Sequence, residues 1–258
     1  MKKSAFIVII FALAFVVAYV IYEFGFGNPA NFKDAARQVV LNGNIMGTIY
    51  VGGKLVILLI TLSIMDVAII IERSLSLRKA AGKQPIPKFF KTAIDQIRDG
   101  KIDEAITICD KQRGSVANVL KSALARYKEV SGGKSTTDVE KQLVEVQRAV
   151  DESMMLETPL LEKNLIALST IASIATMVGL LGTVIGMIRS FAAMAQAGAP
   201  DAIGLATGIS EALINTAGGL VVAIIGIVAY NFFVNKVDNF TFQIDEATYN
   251  VMQLLKSK

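Results

Sequence analysis

The sequence lacks several residues and motifs on which enzyme chemistry usually depends. It contains no histidine, which is the commonest metal ligand and the commonest general base. Its one cysteine, Cys109, excludes a disulfide bond within the chain. Phosphate-binding loops, GxSxG elbows, HExxH helices and paired-cysteine motifs are also missing. We therefore expect a protein that is not an enzyme and that uses no cofactor or metal.

Charge is scarce in two long apolar stretches near the C-terminus. Residues 165–188 contain no charged side chain, and residues 202–234 contain one, Glu211. About 20 consecutive apolar residues are enough to cross a bilayer as a helix. Mean hydropathy is +0.53, and 53% of the chain is hydrophobic. These patterns predict an all-α membrane protein with four transmembrane helices and a helical cytoplasmic domain, into which long helices extend from the membrane.

The first predicted span begins close to the N-terminus. Lys2 and Lys3 precede an apolar run over residues 5–22, which is longer than the apolar region of most secretory signals. No small-residue cleavage motif follows the run. We therefore predict an uncleaved span with its N-terminus in the cytoplasm, and a cleaved signal is the alternative.

Residues 23–53 are predicted to form an external segment. Asn28 and Pro29 have the form of a helix cap and a first-turn proline. Five apolar residues then follow at helical spacing: Phe32, Ala35, Ala36, Val39 and Val40. This pattern predicts a small amphipathic helix on the outer membrane surface. The alternative is a connecting loop with one or two helical turns.

The second predicted span covers residues 55–71 and contains an acidic residue, Asp66. In one interpretation Asp66 belongs to an ion path through the membrane. In the other, it lies near the inner membrane surface and is satisfied by a basic neighbour or by water. The shallow position of Asp66 favours the second interpretation.

Charged residues are concentrated between residues 72 and 163. This stretch holds 17 of the 26 lysines and arginines, and a basic cluster that includes Arg73 and Arg78 follows the second span directly. Such a bias marks the cytoplasmic side, whereas the link over residues 192–203 has no lysine or arginine and is expected outside.

Several helices are predicted within this charged region. They cover residues 87–98, 102–111 and 115–128, and a further helix starts at a capping box formed by residues 137–140. An apolar seam on the last helix consists of Val139, Leu143, Val146, Val150 and Met154. This helix is expected to run on into the third span with a kink at Pro159. Cys109 is expected to be a small buried hydrophobic residue.

The predicted boundaries follow from these features. They are an N-terminal transmembrane helix over 1–22, a periplasmic segment over 23–53, a transmembrane helix over 54–71, a cytoplasmic helical domain over 72–158, a transmembrane helix over 159–191, a periplasmic link over 192–203, a transmembrane helix over 204–234 and a cytoplasmic, amphipathic C-terminal helix over 235–258.

A polar stripe accompanies Glu211. Thr207, Glu211 and Asn215 recur every four residues and so lie on one face of a helix. We take Thr207, Asn215 and Asp66 as candidate pore-lining residues. Glycines that let helices approach closely lie in the same two spans: Gly179, Gly182, Gly186, Gly208, Gly218 and Gly219.

Two segments closely resemble the signature helices of the MotA/TolQ/ExbB proton-channel family. They are residues 179–187, GLLGTVIGM, and residues 208–220, GISEALINTAGGL. The similarity covers roughly residues 56–234. The glutamate at 211 is like ExbB and TolQ and unlike flagellar MotA, which lacks it. The first span departs from the three-span pattern of ExbB and TolQ.

The resemblance implies a multi-pass protein of the bacterial inner membrane with both termini in the cytoplasm. It implies a homo-oligomer, a pentamer, around the single-span helices of an ExbD- or TolR-like partner. Proton flow would drive movement that a TonB- or TolA-like protein relays to the outer membrane. The positions that match the family's proton pathway are Thr183, Glu211 and Thr216. Lipid is an expected partner, and nucleic acid is not.

Several alternatives remain at this stage. Glu211 either binds and releases a proton or is a permanently protonated packing group. The hydroxyls of Thr183 and Thr216 either pass protons or bond back to their own helices. The chain is either an ExbB-like motor subunit, a TolQ-like or gliding-type stator of the same family, or a passive membrane scaffold.

Overall fold

The computed structural model describes residues 2–37, 39–132, 139–195 and 201–256, with the backbone alone for residues 2–8. Nine α-helices lie in these ranges, and a π-helical segment, Ile21–Phe26, prolongs the first. The helices are α1 Lys2–Val20, α2 Ile45–Val51, α3 Leu55–Ala81, α4 Ile86–Arg98, α5 Ile102–Gln112, α6 Ser115–Ser131, α7 Val139–Glu162, α8 Leu165–Met194 and α9 Ala202–Lys256. Four helical segments, which include α1, α3, α8 and α9, are long and apolar enough to cross a membrane. The predicted all-α membrane fold with four transmembrane helices is confirmed.

The chain divides into two compact units. The membrane unit consists of Met1–Ile70 and Ile166–Tyr230, and the hydrophilic unit consists of Ile71–Leu165 and Asn231–Lys258. Each unit combines segments that are far apart in the sequence.

Small residues bring α8 and α9 together in the membrane unit. A Cβ atom on Gly186 would lie 2.6 Å from the carbonyl oxygen of Gly208, and one on Gly219 would lie 2.9 Å from the Cα atom of Gly179. In the first contact a later residue of α8 meets an earlier residue of α9. In the second contact an earlier residue of α8 meets a later residue of α9. The two helices are therefore antiparallel, at a separation that larger residues would not allow.

Helix α3 lies beside α9 and runs in the same direction. Leu59 is the nearest neighbour of Gly218, and Asp66 lies beside Gly226. Apolar side chains fill the space between α3, α8 and α9: Leu59, Leu62, Ile171, Ala175, Val178 and Val222. Helix α1 packs against α3 through a second cluster that contains Ala18, Tyr22, Val56 and Ile57.

The segment that was predicted to be external differs from its predicted form. Asn28 caps a turn as expected, because its side chain accepts a hydrogen bond from the Ala30 amide, but the helical turn covers only Pro29–Asn31. Beyond this turn Arg37 has a left-handed backbone, and the side chain of Asp34 accepts a hydrogen bond from the Val39 amide at 2.7 Å. The predicted amphipathic helix was wrong, and the described residues take the alternative form of a connecting loop with one helical turn, because these side-chain bonds stabilise a turn instead.

The predicted helices of the hydrophilic unit are confirmed as α4, α5 and α6. Each of these helices has a buried apolar face, and Cys109 on α5 is buried, as expected. On α7 the middle of the seam, Val146 and Val150, is buried, but Val139 is half exposed. The predicted start of this helix at Thr137 lies outside the described residues, and α7 is described from Val139.

The expectation that α7 runs on into the third span was wrong. Helix α7 ends at Glu162, three residues after Pro159, and α8 begins at Leu165. Between them Asn164 adopts a left-handed backbone with φ of 62°. Asparagine tolerates this conformation better than most residues, and the Asn164 side chain donates a hydrogen bond to Glu72 at 3.2 Å.

Arg73 holds the end of α7 in the hydrophilic unit. Its guanidinium is buried, pairs with the adjacent Glu72 and donates to the carbonyl oxygen of Leu161 at 3.4 Å.

The last helix also differs from expectation, because α9 continues for 55 residues without a break near Asn235. Residues 227–256 contain no glycine or proline that would end it.

Candidate ion site around Glu211

Glu211 is a buried carboxylate between two helices of the membrane unit. It lies on α9 with 6% of its surface exposed, and both of its oxygens accept a hydrogen bond from Nη1 of Arg189 at 2.5 Å. Arg189 lies on α8, and 61% of its side chain is exposed. The pair therefore consists of a buried carboxylate and a solvent-exposed guanidinium.

The turn between α2 and α3 lies against the same carboxylate. Gly53 has a left-handed backbone with φ of 78°, and a Cβ atom there would lie 3.1 Å from Cδ of Glu211 and closer still to its Oε1. A side chain at this position would combine backbone strain with a clash. The glycine therefore allows the turn to approach Glu211.

Asn215 links this turn to α9. Its side chain is fully buried, and its Nδ2 donates to the carbonyl oxygens of Gly52 at 2.6 Å and Glu211 at 2.9 Å. A Cβ atom on Gly182 of α8 would lie 2.7 Å from Cγ of Asn215, so the glycine makes room for the amide. Three parts of the membrane unit meet at this residue.

The three threonines bond to backbone carbonyl groups. Thr207 and Thr183 donate within their own helices, to Ile203 at 2.9 Å and to Leu180 at 2.5 Å. Thr216 donates to Ala212 of its own helix at 3.3 Å and is 3.4 Å from the Gly179 carbonyl oxygen of α8. The hydroxyls of Thr183 and Thr207 are thus bonded back to their own helices, whereas that of Thr216 has an acceptor on its own helix and another on α8.

Asp66 lies at a different level of the membrane unit. It is beside Gly226, which follows Glu211 by 15 residues on α9 and is therefore about 22 Å away along the helix. Its side chain is 1% exposed, and neither oxygen has a hydrogen-bond partner among the described residues. The basic neighbour expected for Asp66 is not found in that part of the chain.

Sequence reasoning missed Arg189 and the Gly52–Gly53 turn. A signal for Arg189 was present, because it directly follows the charge-free run over 165–188. When two spans form an antiparallel pair around a short link, a charge late in one and a charge early in the next lie at similar depth. No comparable local signal identified the glycine turn, because its contact with Glu211 joins residues 158 positions apart.

A buried acid between transmembrane helices is typical of membrane proteins that move ions. The family comparison agrees with this class: residues 81–246 match the model of the MotA/TolQ/ExbB proton channel family. The chain belongs to this family. Its members are channel and motor components rather than catalytic enzymes.

Individual relatives carry ExbB-like and TolQ names. The chain is 30% identical to a biopolymer transport protein ExbB-like 3 from Synechocystis over 70% of this chain and 81% of the relative. It is 32% identical to the Tol-Pal system protein TolQ of Haemophilus influenzae over 68% of this chain and 76% of the relative. With the biopolymer transport protein ExbB of Pseudomonas putida it shares 41% identity over 34% of this chain and 27% of the relative.

Proposed function

We propose that the chain is an ExbB-like subunit of a proton-driven motor in the bacterial inner membrane, which energises TonB-dependent transport across the outer membrane. The buried Glu211 carboxylate carries this proposal. Burying a carboxylate among transmembrane helices is costly, and such residues commonly take part in ion movement. The ExbB-like and TolQ relatives support a role of this kind.

The mechanism follows from the ion pair between Glu211 and Arg189. Proton binding to the carboxylate would remove its charge and weaken the attraction between α8 and α9 at this level. The exposed Arg189 guanidinium could then turn towards water, whereas the enclosed Glu211 would remain stable in its neutral form. Loss of the proton would restore the pair. A cycle of proton binding and release would therefore loosen and tighten this contact in turn.

Hydroxyl and amide groups complete the proposed proton path. Thr183 and Thr216 can each donate and accept hydrogen bonds, so they could hold water or pass a proton. Thr207 and Asn215, one turn before and one turn after Glu211, would line the path. In a single chain Thr183 and Thr207 are partly exposed, which gives water or a partner access to them.

The proposed assembly is a homo-oligomer, a pentamer, around an ExbD- or TolR-like single-span partner. Apolar side chains on α8 and α9 that are exposed in the single chain would face lipid, neighbouring subunits or that partner: Leu180, Leu181, Val184, Ile188, Leu213, Leu220, Val221 and Ile224. A TonB- or TolA-like protein would relay the motion to the outer membrane.

The proposed topology places both termini in the cytoplasm. The concentration of lysine and arginine in residues 72–163 supports a cytoplasmic hydrophilic unit. The segment over 23–53 and the link over 192–203 would then be periplasmic.

Replacing Glu211 with glutamine tests the motor. The amide has nearly the same shape but cannot cycle a proton at this position, so Glu211→Gln should assemble normally and lose the driven transport. Glu246→Gln, on the exposed part of the same helix, is the matched control and should retain transport. Assembly is measured as the mass of the intact complex under native conditions. Transport is measured as TonB-dependent uptake by host cells that lack their own copy of the gene.

The passive scaffold makes the opposite prediction. If Glu211→Gln assembles and supports full uptake, the motor proposal is wrong and the polar stripe serves assembly alone. The TolQ-like alternative is favoured by the Haemophilus relative. It predicts that loss of the gene weakens the outer envelope and leaves TonB-dependent uptake intact.

A further inference from the structure

We propose that Asp66 is a second proton-binding site of the membrane unit, separate from Glu211, at which an exchangeable proton is held between α3, α8 and α9. This inference rests on the proposed function, because it adds a second carboxyl group to the same proton-driven motor. It starts from the surroundings of the Asp66 side chain.

The carboxyl group of Asp66 is enclosed without a polar partner. Only 1% of the residue is exposed, and neither oxygen forms a hydrogen bond to any described residue. A lone ionised carboxylate in such a place is strongly unfavourable, because it has lost its contacts with water and gained no partner. The group must therefore bind a proton or another cation when the helices are packed as in the structure.

Small residues create the space that the carboxyl group occupies. A Cβ atom on Gly226 of α9 would lie 3.0 Å from Oδ2 of Asp66 and 3.1 Å from Cβ of Ala172 on α8. It would also lie 3.2 Å from the carbonyl oxygen of Leu168. The absence of a side chain at Gly226 thus lets the carboxyl group fit between the three helices.

The surroundings favour a proton over a metal cation. A metal ion needs several oxygen ligands at short distance, and no group of three or more acidic or cysteine side chains converges anywhere in the described part of the chain. One carboxyl group against a glycine and an alanine does not provide such a ligand set. A proton needs only the carboxylate itself.

Among the described residues, the helices packed around Asp66 have no charged side chain at its level. Residues 165–188 of α8 carry no charge, and α9 carries none between Glu211 and Lys236. Tyr230, one turn beyond Gly226, is the nearest titratable residue along α9. On α3 the next charges are Glu72 and Arg73, which pair with each other, and α1 carries none between Lys3 and Glu23.

Asp66 is also separated from Glu211 within the chain. The distance along α9 is about 22 Å, and the apolar cluster around Leu59, Leu62 and Val222 lies between the two levels. A direct hydrogen-bonded path through this cluster is therefore absent from the described residues. The two carboxyl groups would therefore bind protons independently.

Infrared spectroscopy of the purified, assembled protein tests the site directly. The spectrum of the wild type minus that of Asp66→Asn should contain the C=O stretching band of a protonated carboxyl group near neutral pH, and this band should shift on transfer to D₂O. Glu211→Gln should retain the Asp66 band, because the sites are separate. If the band is missing, or if it does not shift in D₂O, no exchangeable proton is bound and the proposal is wrong.

Transport by the same variants tests whether the proton is used. Asparagine replaces the neutral acid at nearly equal volume, so a merely structural carboxyl group would tolerate Asp66→Asn. We expect this variant to assemble and to lose driven uptake. Gly226→Ala should weaken uptake and perturb the Asp66 band, whereas the control Gly25→Ala, whose methyl group would meet only Cγ2 of Ile21 at 4.0 Å, should do neither.

The outcomes separate this inference from the proposed function. If Glu211→Gln abolishes uptake and Asp66→Asn supports wild-type uptake, the motor stands and the second site is wrong. If Glu211→Gln supports full uptake, the motor itself is wrong, whatever Asp66→Asn does. If Asp66→Asn fails to assemble, the D₂O shift of the wild-type band and the comparison of Gly226→Ala with Gly25→Ala decide the question.

Discussion

At the scale of single residues, the membrane unit contains acids in two different settings. Glu211 is enclosed but has a cation within hydrogen-bond distance, whereas Asp66 is enclosed and has no polar partner among the described residues. Both acids were identified from the sequence, because a charged residue in a long apolar run is conspicuous. Their partners were not identified, because the contact of Glu211 with Arg189 depends on how α8 and α9 pack.

The ion pair of Glu211 and Arg189 predicts an asymmetric response to mutation. In Arg189→Gln the buried carboxylate loses its cation, and the exposure of Arg189 limits the destabilisation to about 1–2 kcal/mol. The double variant Arg189→Gln/Glu211→Gln should recover part of this loss, because no unpaired charge remains buried. Thermal unfolding in detergent measures both effects.

A matched surface pair controls for the loss of an arginine. Arg148 and Glu152 form an exposed pair one turn apart on α7, at 3.0 Å. Arg148→Gln should leave the unfolding temperature unchanged, because exposed pairs contribute little. If the double variant at 189 and 211 is as unstable as the sum of its single variants, the ion pair has no energetic role.

Gly53 allows the contact of the glycine turn with Glu211 to be tested separately from backbone strain. Gly53 and Gly43 both have left-handed backbones, with φ of 78° and 77°, but a Cβ atom at Gly43 would meet nothing within 4 Å. Gly43→Ala should cost about 1 kcal/mol from strain alone. Gly53→Ala should cost clearly more and should impair uptake, because the methyl group displaces the Glu211 carboxylate. Equal unfolding temperatures for the two variants would contradict this contact.

At the scale of elements, helices with a local amphipathic pattern were predictable and helix ends were less so. Helices α4, α5 and α6 were found at nearly their predicted bounds, because apolar spacing and glycine stops are local signals. The predicted helix between α1 and α2 and the predicted continuation of α7 into α8 were wrong. There, hydrogen bonds of Asp34 and Asn164 side chains determine the backbone, and these bonds depend on neighbours that helical spacing does not reveal.

The packing of α5 predicts an unreactive cysteine. Burial raises the pKa of the Cys109 thiol to about 12, so the thiol stays protonated at neutral and mildly alkaline pH. Because the thiolate is the reactive form, Cys109 should resist maleimide in the folded protein and react fully in denaturant. In the Glu104→Cys variant, whose new thiol is exposed on the same helix, that thiol should react in the folded protein. Rapid labelling of native Cys109 would show that α5 is not packed as described.

At the scale of the whole molecule, one polypeptide builds two compact units with contrasting surfaces. The membrane unit exposes apolar side chains, and the hydrophilic unit contains most of the charge. The family match over residues 81–246 includes parts of both units. The function that we propose therefore concerns a protein in which ion binding and a large hydrophilic region belong to the same chain.

The proposed topology predicts which side of the membrane each exposed residue faces. In a chain whose Cys109 is replaced by alanine, Asn42→Cys should react with a membrane-impermeant maleimide in intact cells. Glu104→Cys should react only after the inner membrane is opened. Both side chains are exposed in the structure, so burial does not explain a difference. The reverse labelling pattern would contradict cytoplasmic termini.

The amino-acid sequence by itself determined the helical class, the four spans and the acids worth studying, since hydropathy, residue spacing and missing charges are properties of contiguous segments. The tertiary structure alone decided which groups meet: Arg189 with Glu211, Gly53 with the same carboxylate, and Gly226 with Asp66. These partners lie 22 to 160 positions apart in the chain. Their contacts arise because small residues allow α3, α8 and α9 to approach closely, and that approach is a property of packed helices rather than of any one segment.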